Sequence, residues 1–115
     1  MRRGDIVWVD LDPALGAESG KRRPAVVVSN DGANATAQRL GRGVVAVLPL
    51  TTNVSRAYPF QVLLPADRCL TSSDSKAQAE QIRSVSISRV GDVAGHLPPD
   101  LLEEVDRAIR LHLAL

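Results

Sequence analysis

Four polar side chains stand at the ends of apolar runs and between them have the makings of phosphodiester chemistry: Glu18, Arg23, Thr51 and Thr52. Arg23 closes the basic run Lys21-Arg22-Arg23 directly before Pro24-Ala25-Val26-Val27-Val28, so a fixed positive charge sits where a loop enters a strand. A guanidinium stays protonated and offers a planar fork of donors, which suits an oxyanion or phosphate. Breaking an RNA backbone needs a base for the ribose 2′-OH, a cation for the charge growing on the phosphorane, and an acid for the leaving 5′-oxygen. The attacking group already belongs to the substrate, so no metal is required and proximity supplies much of the acceleration. Glu18 is the candidate base. Arg23 is the candidate electrostatic stabiliser, since a pKa above about 12 makes it a poor proton donor. Thr51 would donate a hydrogen bond to a phosphate oxygen. Plainer readings exist for each: charged loop edges are ordinary surface, and threonine hydroxyls often satisfy a turn backbone. Spacing alone leaves both open.

The elements that must position these groups are short. Gly4 to Leu11 alternates and is β-branched, giving a first strand with Ile6, Trp8 and Asp10 on one face and Val7, Val9 and Leu11 on the other. Asp12-Pro13 ends it, and Ala14 to Arg22, aperiodic and holding Gly16 and Gly20, reads as a mobile loop. Ala25 to Val28 is a continuous apolar run, hence a strand buried on both faces. Gly32 to Leu40 is too polar for a core strand and is read as a short helical turn or irregular excursion, with Gly41-Arg42-Gly43 a turn into the next strand. Val44 to Leu50 is a third strand, with Pro49 arguing for an edge or a bulge. Tyr58 to Leu64 is a fourth, Cys69 to Asp74 a loop, and a fifth short strand is expected around Ala79 to Val85. From Pro98 the period changes: Leu101, Leu102, Val105, Ala108 and Ile109 recur at helical spacing, with Asp100, Glu103 and Glu104 early and Arg107 and Arg110 late, as the helix dipole prefers. The pattern predicts a mainly β domain with α, a small bent sheet or barrel closed by one C-terminal amphipathic helix. Trp8, Tyr58 and Phe60 are expected in the core.

Composition narrows the partners. The 115 residues suit a single domain, and with 44% hydrophobic and 23% charged residues and a net charge of +1 the chain as a whole is no electrostatic trap for nucleic acid. Anion binding must come from local clusters. The single cysteine, Cys69, leaves no internal disulfide and no cysteine-built zinc site, and His96 and His112 are not in ligand spacing. No cofactor or metal is expected. Gly4-Asp5 and Asp10 interrupt the apolar start, so neither a signal peptide nor a membrane segment is read, and a reducing cytoplasm is the expected location.

Gly4-Asp5-Ile6-Val7-Trp8-Val9-Asp10-Leu11-Asp12-Pro13, Gly16-Ala17-Glu18-Ser19-Gly20 and Arg23-Pro24-Ala25-Val26-Val27-Val28-Ser29 together resemble the opening of the MazF/PemK family of toxin endoribonucleases. Val47 to Thr52, Tyr58 to Val62 and Gln81 to Val85 continue the resemblance in the same order. It implies an SH3-like small β-barrel with a C-terminal helix, working as a homodimer. It also implies metal-independent, sequence-specific cleavage of single-stranded RNA, leaving a 2′,3′-cyclic phosphate and a 5′-hydroxyl, with neutralisation by a cognate antitoxin of the MazE kind. Carried over by position, the catalytic arginine and threonine fall on Arg23 and Thr51, and the acidic loop residue of some members on Glu18. Lys21, Arg22, Thr52, Arg56 and Gln81 are then the expected RNA contacts, in a groove between subunits. Asp31 to Gly43 and Arg68 to Lys76 match poorly. Two alternatives are weighed against this reading. A non-enzymatic gyrase poison of the CcdB type uses an aromatic near the chain end, whereas this chain finishes His112-Leu113-Ala114-Leu115; a peptide-binding SH3-like module would display an aromatic-lined groove, and aromatic residues are 3% of the chain.

Overall fold

Apolar alternation builds two cores on opposite faces of one antiparallel sheet. The structure, a computed structural model, describes residues 1–115. Strands β1 (Asp5–Asp10), β2 (Arg22–Val27), β3 (Val44–Thr51), β4 (Gln61–Leu64), β5 (Ser75–Gln78), β6 (Arg83–Ser86) and β7 (Val90–His96) are joined by helices α1 (Asp31–Leu40), α2 (Ala66–Cys69) and α3 (Pro99–Leu113). The paired strands run β4-β5-β3-β2-β1-β7, with β6 on β3 beside β5. Ile6, Val26, Leu48, Leu50, Val62 and Leu64 meet Leu101, Val105 and Ala108 of α3 on one side. Val7, Val9, Leu11, Ala25, Val27, Val45 and Val47 meet Ala37 of α1 on the other. The two faces of β1 are therefore the two that alternation assigns. Gly95 lets β7 pass α2, since a Cβ there would run into the Cys69 carbonyl oxygen.

Several expectations change. The strands do not close into a barrel, because β4 and β7 are unpaired ends of the path. Asp31 to Leu40 forms a full ten-residue helix rather than a single turn. Asn30 caps it by accepting a hydrogen bond from the Ala33 amide at 2.8 Å, and Gly41 ends it in the left-handed conformation at φ 65°. The expected strand across Ala79 to Val85 is broken by a 3₁₀ turn, Ala79–Gln81, between β5 and β6. Tyr58 to Phe60 precede β4, and none of the three large aromatics is fully buried: Tyr58 is 41% exposed, while Trp8 and Phe60 are half-buried. Pro49 lies in an interior strand. It sits opposite Ala25 of β2, and on its other side falls between the residues paired to β6, ending at Val47, and those paired to β5, beginning at Leu50. A missing N–H costs least at such a change of partner.

Candidate active cleft

The pairing of β2 with β3 explains how two residues 28 positions apart come together. Ala25 lies opposite Pro49, and the same register continued by two residues sets Arg23 opposite Thr51. β2 begins at Arg22, earlier than the apolar run alone suggests, and Arg23 is paired to Val9 of β1. The guanidinium is thus mounted on a strand. It is half-buried, its Nε donating to the Gly20 carbonyl at 2.9 Å and its Nη1 reaching the Leu50 carbonyl at 3.4 Å. A cavity of ≈ 220 Å³ opens here, lined by Lys21, Arg22, Arg23, Thr51, Thr52 and Ser75. The charges of Lys21 and Arg23 and three hydroxyls around so small a hollow suit an anionic, hydrogen-bond-accepting group such as a phosphate.

Lys21 enters this rim with a left-handed backbone, φ 64°, its amide donating to Asp12 Oδ1 and its carbonyl accepting from Leu11. A non-glycine residue in that region costs about 1 to 2 kcal/mol. Arg22 is turned away from Arg23 by strand alternation. Its guanidinium carbon lies 5.2 Å from the centre of the Trp8 ring, and a Cβ at Gly91 would stand 2.7 Å from its Nη2, so the bare backbone of β7 leaves room for it.

Two expected site residues are placed differently. Glu18 is exposed and does not line the cavity; its Oε1 accepts from the Leu15 amide at 2.7 Å and closes a turn of its own loop. Gln81 is engaged as a staple. Its Nε2 donates to the Ala17 carbonyl and its Oε1 accepts from the Ser19 amide, both at 2.9 Å. The β1–β2 loop, read as mobile from its composition, is also held where Arg89 donates to the Asp12 carbonyl at 2.6 Å and Arg83 to the Leu11 carbonyl at 3.3 Å. Arg56 is exposed on the following loop, 4.5 Å above the Tyr58 ring.

Residues absent from the sequence reading are Ser75, in the cavity wall, and Lys76. Lys76 pairs with Thr51 across β3 and β5, is 8% exposed, and donates from Nζ to the Arg56 carbonyl at 2.6 Å. Nothing in the run Ser75-Lys76-Ala77 marks a buried lysine, because a four-residue strand is too short to show a period. No three His, Cys, Asp or Glu side chains gather as a metal site would require.

Residues 2–113 match the family described as PemK-like, MazF-like toxin of type II toxin-antitoxin system. The chain belongs to this family. It is 56% identical over 115 residues to Endoribonuclease MazF9 of Mycobacterium tuberculosis, covering all of this chain and 98% of that protein. Its fold follows the crystal structure of MazF from Deinococcus radiodurans with a TM-score of 0.82 at 30% identity, over 100% of this chain and 97% of that one. A MazE-MazF structure from the same organism matches at TM-score 0.73 and 27% identity, over 100% and 96%. The MazF-like fold is thus a mainly antiparallel sheet with three helices. No helix is long and apolar enough to cross a membrane.

Proposed function

We propose that this chain is an endoribonuclease toxin that cuts single-stranded RNA at short sequences by transesterification, without a metal. The observation that carries the reading is the seating of Arg23 and Thr51 around one small cationic cavity at the ends of two adjacent strands. In the reaction the ribose 2′-oxygen bonds to phosphorus and the bond from phosphorus to the 5′-oxygen breaks. The 2′ proton passes to a base and the leaving oxygen gains one from an acid, so the products are a 2′,3′-cyclic phosphate and a 5′-hydroxyl. Arg23 stabilises the doubly charged phosphorane in a half-buried setting, where its charge is less screened than in water. Thr51 donates to a non-bridging phosphate oxygen. Lys21, Thr52 and Arg56 hold flanking phosphates, contacts that position the strand without reading it.

Glu18 lies outside the cavity, so as base it must be carried to the RNA by rearrangement of its loop. The MazE-MazF structure names the partner class for the relative, and by that likeness we assign this chain a MazE-like antitoxin; a homodimeric state and a cytoplasmic site of action complete the proposal. A gyrase poison would have no use for the Arg23–Thr51 cavity. The test is incubation of the purified chain with a long defined RNA in excess EDTA, followed by mapping of cut sites and end chemistry. Cyclic phosphate ends at recurrent short sequences are expected. Intact RNA, or cleavage that EDTA abolishes, overturns the proposal.

A further inference from the structure

Further along the sheet from the cavity lies a second, aromatic surface. Arg23, Thr51, Lys76 and Leu63 stand side by side across β2, β3, β5 and β4. Lys76 is more than nine-tenths buried and forms no ion pair, its Nζ resting on the Arg56 carbonyl at 2.6 Å. A buried ammonium without a counter-charge is costly, and it keeps two donors for a further acceptor. The same contact draws the Thr52–Phe60 loop against the strand residue opposite Thr51. On that loop the Arg56 guanidinium lies 4.5 Å over the Tyr58 ring, and Tyr58 and Phe60 are stacked with centroids 5.5 Å apart and planes 3° from parallel. The inner end of the pile meets His112 of α3 at 6.5 Å. Its outer end is open: Arg56 is exposed, and Tyr58, 41% exposed, borders a hollow of ≈ 470 Å³ shared with Leu63 and Arg107.

We propose, building on the endoribonuclease reading, that Arg56, Tyr58 and Phe60 form a nucleobase-stacking subsite for a base flanking the cleaved linkage. Lys76 ties this platform to the cleft and places positive charge between them. A purely apolar partner would use the rings and leave Lys76 and Arg56 unanswered. A nucleotide answers both, its base on the open face of the Arg56 guanidinium that the Tyr58 and Phe60 rings support, and its phosphate toward Lys76. Unpaired bases stack on aromatic and guanidinium planes in this way, with little demand on sequence.

The test uses the full chain and an RNA oligonucleotide spanning a mapped cut site, made uncleavable by 2′-deoxy substitution at the cut nucleotide. Tyr58→Leu should weaken binding roughly 5- to 150-fold, the range for one lost base stack, while Tyr58→Phe, which keeps the ring, should bind as the parent does. An abasic nucleotide at one flanking position should cost the parent the same factor and cost Tyr58→Leu nothing further, the non-additivity expected when the base and the Tyr58 ring belong to one stack through Arg56. Parent-like binding by Tyr58→Leu, additive losses at every position, or a change of oligomeric state that accounts for the loss would overturn the subsite and leave the nuclease reading standing. A parent chain that cuts no RNA would overturn both.

Discussion

Gln81→Ala separates two jobs for one side chain, loop staple or RNA contact. The amide makes two hydrogen bonds of 2.9 Å to the Ala17 carbonyl and the Ser19 amide, one partly buried and one exposed. At about 0.5 to 1.5 kcal/mol net for the partly buried bond and about 0.5 kcal/mol for the exposed one, the pair contributes about 1 to 2 kcal/mol to closing the β1–β2 loop. That loop carries little core, Leu15 being 78% exposed, so the loss should appear as local opening rather than global unfolding. The opening equilibrium of Ser19 should rise about 5- to 30-fold, read by amide hydrogen exchange, with global stability changed by less than about 0.5 kcal/mol. Arg23 Nε is anchored to Gly20 in the same loop, so kcat can fall by that factor at most. Gln81→Glu should not restore it, because a carboxylate oxygen would face the Ala17 carbonyl. Unchanged protection at Ser19 together with weakened RNA binding would refute the staple and make Gln81 a substrate contact.

Arg23→Ala should leave the fold intact and lower kcat by at least about 10²-fold, and Thr51→Val should cost a similar factor as one lost donor to the transition state; either variant cutting at the parent rate would remove its residue from the chemistry. Glu18→Gln keeps an acceptor for Leu15, so loop structure should persist while kcat falls about 10²-fold or more; parent-like kcat would remove Glu18 as the base. Lys21→Gly should raise stability by about 1 kcal/mol through the left-handed backbone while weakening RNA binding, read by urea unfolding and affinity together; lower stability would refute the strain. Arg68 grips Asp100 with two 2.8 Å hydrogen bonds, and these with its charge hold the Asp100 carboxyl below its ordinary pKa. Its stabilising effect is therefore full above the unfolded carboxylate pKa and lost as pH falls through the lower folded value. The Tm gap between the parent and Arg68→Ala should close on acidification, and a gap independent of pH would refute the linkage.

What sequence could say about the fold depended on whether apolar residues do the positioning. β1 and α3 were legible because Ile6 against Val7 and Val9, and Leu101, Val105 and Ala108, carry clean periods of two and of 3.6. The length of α1 was not, because its buried positions are Ala37 and an amide: Asn34 is fully buried and donates to the Ser29 carbonyl at 2.9 Å, while the Ser29 hydroxyl accepts from Ala46. A helix docked by a satisfied polar group shows no apolar stripe. Pro49 misled for a related reason, since its tolerance depends on β3 changing partners, a long-range fact. In the site, the resemblance named Arg23 and Thr51, but the alignment of 25 with 49 that sets them opposite one another was not visible in either segment alone.

The same register shows why Lys21-Arg22-Arg23 is not three copies of one charge. Successive strand residues face opposite sides of a sheet, so Arg22 and Arg23 cannot both serve the cavity with their guanidinium groups. Arg23 shares its side with Ala25 and Val27 and meets Thr51; Arg22 shares its side with Pro24 and Val26 and covers Trp8. A slip of one residue in β2 would exchange them and turn the apolar run inside out at once. The packing of Ala25, Val26 and Val27 between two cores therefore selects which arginine enters the cleft. The geometry of the cavity and hydrophobic burial are set by one and the same alignment of β2 on β1 and β3.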